Sequence, residues 1–416
     1  MSSFDVVVVG GGQAGLSASY ELRRRGIHHV VLERTDGPGG RWKSRWETFC
    51  LVTINDNCRL PGYRYDGNDP EGFMSRDEVV AYLARYAESF AAPIECGVEV
   101  SALTPRTGSH RWLLSTSAGD VIARDVIVAT GPFQQQKLPA WAPALPRRIT
   151  QLHSERYVKP EQLPDGSVLV VGSGQSGAQI AEELHEAGRR VYLGVSRCGR
   201  RPRRYRGRDI TGWTALMRQH AIDTGTLRTA SDLESPRDRF TCNPHLSGKS
   251  GGHEINLRQL ALDGVTLLGR PSGARDSNLL LDNDLVANLE RADTTAAISR
   301  RTVDEFIAAC GLDAPEEPLD EPQLPDPTTR PNLDLDETGV TSIVWATGYR
   351  LDFSWIDLPG LSDDDGYPYH QRGITQHPGL SFLGLPWLHT EASSLLLGME
   401  TDAPHLVEHL TMLATT

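Results

Sequence analysis

One glycine pattern occurs twice in this chain, and the repetition restricts the fold more than any other feature. The first copy is Val6-Val7-Val8-Val9 followed by Gly10-Gly11-Gly12-Gln13-Ala14-Gly15. The second is Val168-Leu169-Val170-Val171 followed by Gly172-Ser173-Gly174-Gln175-Ser176-Gly177. Each is an apolar, β-branched run, then G-x-G-x-x-G, then a helix-forming stretch. The first glycine suits a tight turn, the second lets backbone approach a pyrophosphate, and the third lets the helix pack on the strand. The helix that follows offers free N–H groups and a partial positive charge to phosphates. Two copies predict an α/β protein with two Rossmann-like dinucleotide-binding domains. They also predict two bound nucleotides and hydride transfer between them.

The residues after each second strand differ. Glu33 stands 23 residues after Gly10, at the end of His29-Val30-Val31-Leu32. An acid there accepts hydrogen bonds from a ribose diol, which suits the adenosine of FAD. The same count from Gly172 reaches Val195, followed by Ser196 and Arg197. No acid stands there. A hydroxyl and a cation, with Arg201 as a further candidate, suit a 2′-phosphate, so NADPH is expected rather than NADH.

A chain of 416 residues suits two or three domains. The expected division is 1–150 as the first part of the FAD domain and 151–335 as the NADPH domain, with an inserted segment at about 200–252. Residues 336–416 are then a return to the FAD domain, which is discontinuous in sequence. The repeat of Ala129-Thr130-Gly131 at Ala346-Thr347-Gly348 fits a chain that leaves one domain, builds another and comes back. Ser75 reads as the cap of a helix running to about Phe90. Strands are expected near 94–100, 112–115 and 126–130, and helices at 284–289 and 302–309. The Pro-rich, acidic stretch 313–336 reads as a linker or surface strap.

The net charge of −12 argues against a nucleic-acid partner. No apolar run approaches the ~20 residues of a membrane span. The first strand leaves no room for a signal peptide. Six cysteines, none in a C-x-x-C pair, fit a reducing cytoplasm, offer no metal site and give no disulfide-reductase signature. Each reads as inert.

With these residues in view, the chain resembles the flavin-containing monooxygenases and the related Baeyer–Villiger and auxin-forming monooxygenases. The resemblance rests on both glycine motifs, on Gly39-Gly40-Arg41-Trp42, on Ala346-Thr347-Gly348-Tyr349 and on the closing segment from Phe382 to Ala403. The stretch Thr53 to Gly62, continuing through Gly72-Phe73-Met74, is similar to a bacterial subgroup found beside nitrilase genes. The family linker pattern F-x-G-x-x-x-H-x-x-x-F/Y is half present. His153 and Tyr157 match it, while Arg147 and Ile149 replace Phe and Gly.

The resemblance implies FAD and NADPH as cofactors. It also implies a C4a-(hydro)peroxyflavin that oxygenates a small organic substrate with molecular oxygen. It extends the cofactor contacts to Arg34, Gly40, Arg41, Trp42 and Val100, and to Thr130 and Gly131 with their repeats Thr347 and Gly348. Gln13, Ala14, Gln175 and Ser176 join from the helix starts. Asn55 falls where the family places an asparagine beside the flavin. Arg59 could hold a carboxylate substrate or the nicotinamide ribose. His389 and Glu391 lie near the expected closure of the flavin site. Two other readings stand beside this one: an NADPH-dependent flavin reductase or oxidase that releases hydrogen peroxide or feeds another acceptor, and a non-catalytic flavoprotein redox sensor. A homodimer is left open, as is the choice among N-, S- and carbonyl oxygenation.

Overall fold

In the computed structural model, residues 2–108, 111–318 and 324–414 are described. The chain builds two α/β units in which sheets lie between helices. The first unit contains β1 (Ser2–Val9), α1 (Gln13–Arg24), β2 (His29–Glu33) and α2 (Arg76–Ser89). It adds β3 (Ile94–Cys96), β4 (Val100–Pro105), β5 (Trp112–Thr116) and β6 (Val121–Val128). The strand order is β3-β2-β1-β6-β5-β4. β1 pairs in parallel with both β2 and β6, while β4 and β5 form an antiparallel arm.

The second unit contains β7 (Thr150–His153), β8 (Ser167–Val171), α3 (Gln175–Glu186) and β9 (Val191–Gly194). It continues with α4 (Ile210–Thr224), α5 (Leu257–Asp263), β10 (Thr266–Leu268) and α6 (Leu285–Cys310). β11 (Val340–Trp345) completes its parallel sheet, ordered β7-β11-β8-β9-β10. The return to the first unit therefore begins after β11, not at residue 336. β12 (Leu380–Phe382) pairs in parallel with β6, and α7 (Met399–Ala414) closes the chain.

Burial follows the strand period. Val6 and Val8 of β1 and Val168 and Val170 of β8 belong to one apolar cluster shared by both units. Val7 and Val9 face a second cluster, and Leu169 and Val171 a third. Met399, Ala403, Leu406 and Leu410 of α7 join the shared cluster with Leu16 and Leu22 of α1, so the returning chain is anchored by burial.

Several local expectations change. α2 begins at the Ser75 cap, with Glu78 completing a reciprocal capping box, as its sequence implies. The two helices expected at 284–289 and 302–309 are one helix of 26 residues. The inserted segment contains α4, capped by the Asp209 side chain and ended by left-handed Gly225. Of the 313–336 strap, 319–323 lie outside the described residues. The rest is pinned by arginines: Arg206 donates to Glu317 and to the Pro315 carbonyl, and Arg258 to the Pro325 carbonyl. No helix among the described residues is long and apolar enough to cross a membrane.

Candidate functional site

Both glycine motifs form the same cradle. A Cβ on Gly10 would meet the Ala129 carbonyl oxygen at 2.6 Å, and one on Gly172 would meet the Ala346 carbonyl oxygen at 2.6 Å. Both glycines have positive φ, 108° and 98°. A Cβ on Gly15 or Gly177 would lie 1.8 or 1.9 Å from the carbonyl oxygen of Gly10 or Gly172. The middle glycines differ from these. A Cβ on Gly12 meets nothing within 4 Å, and one on Gly174 meets only the Cys242 Cβ, at 3.9 Å. Space is thus left where a pyrophosphate would approach. No side chain caps α1 or α3, whereas Ser75, Asp209 and Asn256 cap α2, α4 and α5. The first N–H groups of α1 and α3 are available to an anion. The residues present fit two dinucleotides.

The tips of the cradles are chemically distinct. Buried Glu33 accepts from the Gly11 N–H at 2.6 Å and, through its other oxygen, from the Thr35 N–H and hydroxyl at 2.9 and 2.8 Å. In the second cradle Ser173 occupies the place of Gly11. Its N–H donates to the Ser196 hydroxyl at 3.4 Å, and the Ser196 N–H donates to the Ser173 hydroxyl at 2.9 Å. Arg197 beside it is exposed and forms no ion pair among the described residues.

Other expected contacts gather around the first cradle. The Trp42 indole donates to Gln13 Oε1 at 3.0 Å, and Gln13 Nε2 donates to the Ser394 carbonyl at 3.2 Å. Gly40 packs against Glu33 and Thr35. Arg34 is exposed next to Glu33. Arg41 reaches across to Glu155 and to the Gln134 carbonyl, and burial lowers its pKa. Val100 lies farther along; at the end of β2, Glu33 pairs with Cys96, and the Val98 N–H donates to the Glu33 carbonyl at 3.0 Å.

The two Ala-Thr-Gly turns are stitched together. Gln134 donates to Thr130 Oγ1 and to the Gly131 carbonyl, and accepts from the Asp352 N–H. Thr347 donates to the Lys137 carbonyl. Gln135 and Gln136 pair antiparallel with Arg350 and Tyr349. His153 closes this junction. Its Nε2–H donates to the Gly348 carbonyl at 3.1 Å and its Nδ1 accepts from the Glu155 N–H at 3.2 Å, which fixes the neutral tautomer. Burial pushes its pKa down. His153 is a linker between units.

Three candidates are engaged elsewhere. Asn55 is buried, donates to the Asp69 carbonyl at 2.9 Å and accepts from the Met74 N–H at 2.8 Å. It pins the 69–74 turn, so replacing it by Asp would not leave the fold untouched. Arg59 donates to the Asp56 carbonyl within its own turn. The Gln175 amide is committed at both ends to the backbone of Leu246, so its contribution to a coenzyme comes through the backbone.

Much of the arginine run is structural. Arg200 pairs with Glu254 and Asp293, Arg203 with Asp209, and Arg206 with Asp304. Arg201 is held at α4. It donates to Thr214 Oγ1 at 3.3 Å, has a buried Nε without a partner, and is held below its ordinary pKa by burial, with Glu391 acting oppositely. It leans toward the 389–394 turn of the first unit. The inserted segment covers that turn: Ala230 N–H donates to the His389 carbonyl and Arg218 to Thr390. One cation near the paired Ala-Thr-Gly turns escaped sequence reasoning. Arg45 lies between the rings of Phe49 and Phe133, at 5.5 and 4.9 Å from their centres. Nothing in its local sequence marks it.

A family model described as pyridine nucleotide-disulphide oxidoreductase matches residues 7–232. The chain belongs to this family. Over 98% of both chains it is 32% identical to an uncharacterized oxidoreductase, CzcO-like, of Geobacillus kaustophilus. Over 45% of its length and 47% of the relative's it is 31% identical to the indole-3-pyruvate monooxygenase YUCCA1 of Oryza sativa. Among solved structures, the flavin-containing monooxygenase of Stenotrophomonas maltophilia superposes with a TM-score of 0.67 over 100% of both chains, at 22% identity. The fold is therefore that of a two-Rossmann flavin monooxygenase.

Proposed function

We propose that this chain is an NADPH-dependent FAD monooxygenase acting on a small organic molecule. One observation carries the reading: two cradles of equal backbone geometry, one tipped by a buried carboxylate and the other by a hydroxyl beside an exposed arginine that forms no ion pair among the described residues. The partial likeness to an indole-3-pyruvate monooxygenase supports the same class. FAD would lie with its pyrophosphate at Gly12 and the start of α1, and its adenosine ribose at Glu33. NADPH would lie at Gly174 and the start of α3, its 2′-phosphate at Arg197 with Ser196. Together these groups supply hydride transfer and oxygen activation. The chain's own residues bind and orient them. Gln13 fixes Trp42 and the Ser394 turn at the first cradle's rim, and α4 with the 230–233 turn covers that rim against water. Arg201, whose buried Nε has no partner among the described residues, is a candidate cation for an anionic substrate or for the nicotinamide half of the coenzyme.

The test is the fate of reducing equivalents. With the FAD-loaded protein and a substrate panel, oxygenated product should account for most NADPH consumed. If every substrate leaves all equivalents in hydrogen peroxide, the protein is a flavin reductase or oxidase. If NADPH does not reduce the flavin, a redox sensor is the remaining reading.

A further inference from the structure

Cys198 and Cys242 are 44 residues apart in sequence, yet they are adjacent at the second cradle. The segment after β9 runs parallel to 243–247, with Arg200 opposite His245 and the His245 N–H donating to the Gly199 carbonyl at 2.8 Å. The thiols are held reciprocally. Cys198 Sγ donates to the Asn243 carbonyl at 3.4 Å, and Cys242 Sγ to the Arg197 carbonyl at 3.5 Å. Each thiol thus reaches the backbone carbonyl of the residue next to the other cysteine. Cys198 is buried and Cys242 is half-buried, and both are free thiols.

The strap carrying Cys242 touches three consecutive residues of the glycine motif. The Cys242 Cβ lies 3.9 Å from the position of a Gly174 Cβ. His245 Nε2 donates to the Ser173 carbonyl at 2.5 Å. The Leu246 N–H donates to Gln175 Oε1 at 3.2 Å. Anything that moves this strap therefore moves the proposed coenzyme site.

We propose that Cys198 and Cys242 form a reversible disulfide, under oxidation by a hydroperoxide, that lowers the affinity of the second cradle for its nicotinamide coenzyme. The gating half of this inference rests on the coenzyme assignment above. Cys242 is the attacking thiol. It is the more accessible of the two, and the neighbouring Cys198 thiol holds its pKa below the ordinary value, while Cys198 is pushed above it. The Cys242 thiolate attacks the hydroperoxide, forming an S–O bond as the O–O bond breaks and an alcohol, or water from hydrogen peroxide, leaves. The Cys198 sulfur, losing its proton, then attacks the sulfenic sulfur. The S–S bond forms, the S–O bond breaks and water leaves. Two thiols are oxidised by two electrons and the peroxide is reduced by two. A dithiol reverses the change. Closing the bond removes both S–H donors, so the Arg197 and Asn243 carbonyls each lose a partner. It also draws the strap toward the Arg197 loop, because sulfurs in a disulfide stand only about 2.05 Å apart. Hydrogen peroxide is the by-product of uncoupled turnover in the proposed function, so the switch would respond to the enzyme's own leakage.

The experiment treats the FAD-loaded protein with hydrogen peroxide, removes the excess with catalase and alkylates remaining thiols. Peptide mass then reads the cross-link, and steady-state NADPH oxidation reads KM. A linked Cys198–Cys242 peptide is expected, with KM for NADPH raised about tenfold, near 1.4 kcal/mol of binding. Dithiothreitol should restore both. Cys198→Ser and Cys242→Ser proteins should form no link and keep their own untreated KM through the treatment. The inference is overturned if exposed Cys96 oxidises while Cys198 and Cys242 remain separately alkylated. It is equally overturned if the link forms and KM does not move. A fully reduced protein that binds no NADPH sinks the coenzyme assignment, and the gating with it, whereas the cross-link is scored by mass alone.

Discussion

The two cradles share a backbone and differ at one tip. In both, the first glycine is pressed against the carbonyl of a returning Ala-Thr-Gly turn, and the third against the carbonyl of the first. In both, the N–H of the residue after the first glycine is bound by the tip of the second strand. That partner is Glu33 in one and Ser196 in the other. In the proposed function the shared part leaves open space at Gly12 and Gly174 for a pyrophosphate, and the differing part would select the nucleotide. A carboxylate at the tip accepts from a ribose diol and repels a phosphate. A hydroxyl with a free guanidinium does the reverse.

The sharpest way to break the comparison is at the glycines. Gly15→Ala puts a Cβ on top of the Gly10 carbonyl, so backbone must move. Loss of at least ~1–3 kcal/mol of stability is expected, seen as a lowered melting temperature even without cofactor. Gly12→Val faces open space in extended backbone (φ −79°). It should leave the apoprotein's melting temperature nearly unchanged and abolish flavin binding, read from the absorbance of the purified protein. If Gly12→Val destabilises the apoprotein as much as Gly15→Ala, the open space at Gly12 is not a ligand site.

The tips come next. Glu33→Ala should weaken FAD roughly tenfold to a hundredfold, since hydrogen bonds to a charged group contribute about 1.5–3 kcal/mol. NADPH affinity should be unaffected in flavin-reconstituted protein. Arg197→Ala should weaken NADPH by a similar factor, roughly tenfold to a hundredfold, and spare NADH. Equal losses for NADPH and NADH would move the 2′-phosphate contact away from Arg197. Loss of NADPH binding on replacing Glu33 would undo the assignment of nucleotides to cradles.

How much of this was legible in sequence follows the same division. The cradles were readable because a G-x-G-x-x-G after a β-branched run has a local physical cause, and Glu33, Ser196 and Arg197 could be found by counting along a βαβ unit. The Ser75 cap was readable for the same reason. What failed depended on distant partners. α4 was missed because Gly212 and scattered apolar residues weaken its periodicity, although Asp209 and Gly225 were usable end signals. The boundary at 336 was misplaced because nothing local says that β11 pairs with β7 and β8. The resemblance implies a catalytic Asn55 beside the flavin, but both ends of its amide are bound to Asp69 and Met74, in a turn 14 to 19 residues away. Arg201 lies close to Arg197 in sequence, but its hydrogen bond goes to Thr214 of α4, which no local signal announces. The Cys198–Cys242 pair is invisible without the parallel run of 199–201 beside 243–247.

The smallest expected effect separates the cradles by pH. His29 and His245 are both pushed below the ordinary value of 6.5 by burial. A histidine whose folded pKa is depressed favours the folded state fully above 6.5, and that contribution is lost as pH falls below 6.5 toward the folded value. Both units should therefore loosen on the acid side, but not equally at their ligand sites. His29 begins β2, where its Nδ1–H donates to the Ile27 carbonyl and its Nε2 accepts from Ser19, at the opposite end of the strand from Glu33. His245 donates directly to the Ser173 carbonyl inside the second glycine motif. Acidification from about pH 7.5 to 5.5 crosses the free-histidine pKa and should weaken NADPH more than FAD. The coenzyme's own phosphate also titrates near pH 6, so the informative quantity is the difference between wild type and His245→Gln. The glutamine amide keeps a donor for the Ser173 carbonyl and cannot be protonated in this range. Dissociation constants for NADPH measured across that interval should rise less steeply with acid in His245→Gln. Parallel curves for the two proteins would show that His245 does not couple pH to the second cradle, and that the acid response lies in the ligand alone.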